Sequence, residues 1–79
     1  MIGANASTQV DYDRPDLNEQ EKLIFEYVWR GYSTGMIASA LGTSHRTIEA
    51  VRWALLKKFG VHNSIQLVRA GLRQGFLEL

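Results

Sequence analysis

An all-α fold follows from three features of the 79-residue chain. Apolar residues recur every three or four positions, glycines fall where each such run ends, and no stretch alternates with period two over a strand's length. At 46% hydrophobic content the chain supports one small domain burying about 60% of its unfolded surface, with too little material for a second core.

Residues 1–16 hold small and polar side chains, scattered acids and the only proline, Pro15, without a sustained period. They are expected to form a disordered tail or linker, leaving 17–79 as the folded domain. Helical signals begin at Asn18, a favourable cap, with Glu19 and Glu21 suited to the positive first turn and Leu17, Ile24, Tyr27 and Val28 on one side. This first helix should run to about Arg30 and stop at Gly31. Ser33 caps a short second helix with Met36, Ile37, Ala40 and Leu41 facing inward, and Gly42 turns the chain. Ser44 caps a third helix over 44–59, whose buried stripe is Ile48, Val51, Leu55 and Phe59 and which Gly60 ends. A fourth begins at Asn63 or Ser64, buries Ile65, Val68 and Leu72 and ends near Gly75, after which Phe76, Leu77 and Leu79 fold back on the core.

Composition removes several function classes. The chain has no cysteine, and its two histidines, His45 and His62, lie far apart without acidic companions, so no disulfide, metal or cofactor is expected. No nucleophile and base, paired carboxylates or phosphate loop can be assembled, which argues against an enzyme. No apolar run approaches the roughly 20 residues that span a bilayer, and the N-terminus lacks the pattern of a signal peptide; a cytoplasmic chain without membrane contact is the expectation. The net charge of +1 is unevenly distributed, because residues 43–79 hold six Lys or Arg against Glu49 and Glu78. That half suits a polyanion or a solvated surface.

A short helix, a three-residue turn containing Gly42 and a longer capped helix make a helix-turn-helix, whose second helix can lie in a major groove. Projected at about 100° per residue, helix 3 turns Arg46, Glu49, Ala50, Trp53 and Lys57 outward. Arg52 falls near the buried edge, and His62 lies in a loop.

Over residues 17–77 the chain resembles the helix-turn-helix DNA-binding domain of LuxR-type (GerE-like) bacterial transcription regulators. The resemblance rests on LNEQEKLIFEYVWRG, on Ser33, Ile37, Ala38 and Leu41, on Ser44, Thr47 and Ile48, and on Leu55, Lys58, Phe59, Gly60 and Val61, in that order and spacing. It implies a four-helix domain that binds double-stranded DNA as a dimer, with helix 3 in the major groove and helix 4 at the dimer contact. Base contacts are implied for Glu49, Ala50 and Trp53. Phosphate contacts are implied for Thr34 at the start of helix 2 and for Ser44 and Thr47, with His45, Arg46 and Lys57 beside them. A weak homodimer would use Ile65, Arg69, Ala70 and Arg73 of helix 4.

The departures from the family pattern fall on the functional face. Glu49 and Val51 stand where Lys and His are common, and Trp53 replaces a basic or polar residue. The family's Asn-Lys-Glu of helix 2 is Thr34, Gly35 and Met36, and its Arg early in helix 4 is Ser64, which removes the expected partner of Glu21. Trp29 replaces an Ala. Glu49 can accept from cytosine N4 and Trp53 can lie on a thymine methyl, so an altered base preference is one reading. The other is a protein-interaction module that keeps the fold and pairs with another regulator through the Trp53 face or helix 4. Region 4 of a sigma factor shares the helix-turn-helix pattern, but the Gly-Val turn and the additional helix favour the LuxR type. The chain reads equally as a stand-alone regulator or as an excised C-terminal domain.

Overall fold

The computed structural model describes residues 15–78. Among these residues it has four helices and no strand: α1 (Glu19–Trp29), α2 (Thr34–Leu41), α3 (His45–Phe59) and α4 (Ser64–Arg73). The expected tail, 1–16, lies outside the described residues except for Pro15 and Asp16, and Leu79 lies outside them too.

Each helix starts on a side chain that accepts a first-turn N–H otherwise without a partner. Asn18 Oδ1 accepts from Glu21 N at 2.8 Å, and Glu21 Oε1 accepts from Asn18 N at 2.9 Å, a reciprocal capping box. Ser33, Ser44 and Asn63 serve α2, α3 and α4 in the same way. The choice between Asn63 and Ser64 therefore falls to Asn63, and Ser64 is the first helical residue. At the other ends of α2 and α3, Gly42 (φ 66°) and Gly60 (φ 68°) take the left-handed conformation that reverses the chain.

The central element is α3, packed against α1, α2 and α4, while α1 also touches α4. Ile24, Phe25, Ile37, Ile48, Leu55 and Leu67 are fully buried at the meeting point. Each removes enough apolar surface from water to contribute about 1.5–3 kcal/mol. One end of the core is aromatic: Phe59 lies 5.3 Å from Phe25 and 5.4 Å from Phe76, ring centre to ring centre and edge to face. Leu77 is buried beside them, so Phe76 and Leu77 close the domain as expected.

Three inward assignments are corrected. In α2 it is Ile37 and Ala38 that are buried; Met36 is 54% exposed and Ala40 is exposed. An eight-residue helix against one neighbour shows the core a narrow stripe, and positions 36 and 40 run along its outer edge. In α4 the buried line is Leu67, Ala70 and Gly71, with Val68 and Leu72 half-buried and Ile65 69% exposed. The helix turns this way because Gly71 has no side chain: a Cβ there would lie 2.5 Å from Phe25 Cζ and 2.9 Å from Leu77 Cδ1. The backbone of α4 is thereby seated on the core at that point.

Candidate nucleic-acid interface

The sequence of α3 places its polar residues at helical spacing away from the Ile48–Val51–Leu55 stripe, and the fold leaves that side open. Arg46, Glu49, Ala50, Trp53 and Lys57 are all exposed. Trp53 is 64% exposed, so its ring does not pack against α1. The Lys57 ammonium sits 5.9 Å from the centre of that ring, at the outer edge of cation–π range.

At the start of α3, Ser44 Oγ accepts from Thr47 N at 3.1 Å and shares a 2.9 Å hydrogen bond with Thr47 Oγ1. Only one of the two hydroxyls can donate in that bond, so one proton of the pair stays available to an outside acceptor. His45 follows, exposed, with its Cδ2 3.9 Å from where a Cβ on Gly35 would sit. The first turns of α2 and α3 are thus brought side by side.

Two residues assigned to different roles meet here. Thr34 Oγ1 donates to Glu49 Oε2 at 2.7 Å, tying the first residue of α2 to the outer face of α3. A hydroxyl has one proton, so while this bond stands Thr34 cannot also donate to a phosphate through its side chain. Arg52 is likewise engaged: its Nη2 donates to Ser64 Oγ at 2.6 Å, joining α3 to the start of α4.

Glu21, which lost its expected partner in α4, has one in α3. Lys58 Nζ stands 2.7 Å from Glu21 Oε1 and also donates to the Asp16 carbonyl at 2.8 Å. Burial pushes the Glu21 carboxyl up, but the Lys58 hydrogen bond, the Asn18 N–H and the Lys58 charge together bring it below its ordinary value. The sequence signal for this partner was Lys58 itself, an exposed cation three residues beyond Leu55 and so beside the buried stripe of α3.

On α4, Ile65, Arg69 and Arg73 are exposed, whereas Ala70 is only 1% exposed. Ala70 belongs to the core and drops out of the residues expected to meet a second copy. Among the described residues no three His, Asp or Glu side chains converge as a metal site, and no helix is long and apolar enough to cross a membrane.

This arrangement matches known proteins. The family model for bacterial regulatory proteins of the luxR family covers residues 15–70. The uncharacterized response regulatory protein YgeK of Escherichia coli (strain K12) is 34% identical over 59 residues, 75% of this chain and 40% of that protein. The crystal structure of the phage VqmA–DPO complex superposes with a TM-score of 0.75 at 28% identity, over 99% of this chain and 36% of that one. The chain therefore spans well under half the length of both relatives. A helix-turn-helix domain of this kind points to DNA-binding transcription regulation and away from catalysis. The chain belongs to the LuxR family of bacterial regulatory proteins.

Proposed function

We propose that this domain is a sequence-specific DNA-binding transcription regulator that lays α3 in the major groove and dimerises through α4. The observation that carries the reading is the exposed line of Arg46, Glu49, Ala50, Trp53 and Lys57 on α3, next to the hydroxyl pair of Ser44 and Thr47. In this reading Ser44, His45, Arg46, Thr47 and Lys57 hold the phosphates, and Glu49, Ala50 and Trp53 face base edges. Thr34 is left out of the phosphate set because its hydroxyl serves Glu49. Ile65, Arg69 and Arg73 meet the second copy, setting half-sites about one DNA turn apart. Two arginines per subunit on a small face keep that dimer weak.

The test is duplex affinity at several salt concentrations for the wild type and the double variant Arg46→Ala, Lys57→Ala. Losing two phosphate contacts per subunit should weaken binding to every sequence and reduce the slope of log affinity against log salt by about 2 for each subunit bound. Unchanged affinity and slope would remove both residues from the interface.

The exposure of Trp53 and Ile65 favours a second reading, in which the same fold pairs with another regulator and binds DNA weakly or not at all. A 1:1 complex with a protein partner, together with no duplex affinity at low salt, would select it.

A further inference from the structure

We propose that Thr34 is a specificity-positioning residue, which acts through Glu49 to set the domain's preference at one base pair of each half-site. The inference rests on the DNA-binding function proposed above and names how its recognition face is held.

Glu49 is exposed on α3, and an exposed glutamate ordinarily samples several rotamers. Such a side chain is a poor reader, because it loses that freedom when it meets a base and its mobile charge can swing towards phosphate. Here the carboxylate is fixed from a neighbouring helix: Thr34 Oγ1 donates to Oε2 at 2.7 Å across fifteen positions of sequence. The donor is itself rigidly placed. Thr34 is the first residue of α2, behind Ser33, whose Oγ accepts from Met36 N at 3.2 Å, and β-branching restricts its rotamer. The bond occupies one of the roughly four acceptor sites of a carboxylate. The remainder stay on the exposed side, where they can accept from a base-edge amino group, of which cytosine N4 in the major groove is the matching donor. Pre-ordering by Thr34 thus turns a mobile anion into a fixed acceptor.

The experiment selects binding sequences from a randomised duplex pool with the wild type, Thr34→Val, Thr34→Ser and Glu49→Ala. Val keeps the shape and branching of Thr without the hydroxyl, and Ser keeps the hydroxyl. The wild type should show one base pair per half-site whose preference disappears in Glu49→Ala. At that base pair Thr34→Val should lower the preference by about 3- to 10-fold, the worth of one modest hydrogen bond, while the ranking of bases elsewhere in the site stands. Thr34→Ser should restore most of it. A preference undiminished in Thr34→Val overturns the proposal and leaves the DNA-reading function intact. Loss in Thr34→Val without recovery in Thr34→Ser also overturns it, since a hydroxyl at position 34 would then not be enough to hold Glu49. A wild type that binds no duplex, or binds all sequences alike, overturns the base-reading function and this proposal together.

Discussion

Lys58 of α3 and Glu21 of α1 form a 2.7 Å ion pair in which the carboxylate is buried and the ammonium is partly solvated. The same ammonium holds the Asp16 carbonyl, and the same carboxylate caps the start of α1, so one cation fastens the entry of the domain to its central helix. Replacing it by Met should cost about 1–3 kcal/mol at neutral pH, because a buried carboxylate keeps only the Asn18 N–H. The pH dependence follows from the lowered Glu21 pKa. A depressed carboxyl stabilises the fold above its unfolded-state pKa, and that contribution is lost as pH falls through the folded value. Urea unfolding of the wild type and Lys58→Met should therefore differ most near about pH 7 and converge as pH falls below the lowered folded-state value of Glu21, where the carboxyl is neutral in both. A difference that persists unchanged in acid would assign the role of Lys58 to packing.

Gly71 lies within α4, where alanine is ordinarily favoured by about 1 kcal/mol. The prediction here has the opposite sign. A methyl group would meet Phe25 and Leu77, both nearly fully buried and unable to withdraw into solvent. Gly71→Ala should destabilise by about 1–3 kcal/mol, lowering the unfolding midpoint by several degrees in a thermal circular-dichroism scan. A raised midpoint would show that the aromatic end of the core can shift.

These two positions mark the boundary of what the sequence disclosed. Helix starts were legible because Asn18, Ser33 and Ser44 act through backbone groups three residues away, and the ends at Gly42 and Gly60 are equally local. The outward line of α3 was legible because one helix fixes it. The rotation of α4 was not: periodicity weighs large apolar residues and reads Gly71 as a gap, whereas the missing side chain is what brings that line of the helix inward. The Lys58–Glu21 and Thr34–Glu49 bonds join residues 37 and 15 positions apart, and their partners emerge only when helices are packed. Arg52 lies half-buried at the edge of the stripe, as its spacing predicts, but its bond to Ser64 likewise depends on where α4 begins.

Gly35 offers a gain of function. It occupies the exposed second position of α2 with ordinary backbone angles, and a Cβ there would make only a normal 3.9 Å contact with His45. Gly35→Lys puts a cation beside the helix start, where the family resemblance expects one. Better helix propensity, about 0.5–1 kcal/mol, is partly offset by a cation at the positive helix end, so stability should hold or rise slightly. If α2 lies near phosphate, duplex affinity should increase and the salt slope steepen by about 1. Equal affinity and slope for the two proteins would place the start of α2 away from the backbone of DNA.

Trp53 separates packing from recognition. Because its side chain is largely exposed, Trp53→Ala should change stability by no more than about 0.5 kcal/mol, unlike a truncation at Leu55, for which about 2–5 kcal/mol is expected. Its role can be followed directly in a Trp29→Phe background. Trp29 is half-buried against the core, so an aromatic replacement retains its packing, and Trp53 is left as the sole indole. Its emission should respond to added duplex at low salt and return as salt rises, since the phosphate contacts that bring the ring to the groove are the salt-sensitive part. The neighbouring Lys57 makes the assignment sharper: Lys57→Ala should weaken the response without altering emission of the unbound protein by more than the loss of a distant cation allows. An indole that ignores duplex but responds to a partner protein would move Trp53, and with it the exposed face of α3, from nucleic-acid recognition to protein pairing.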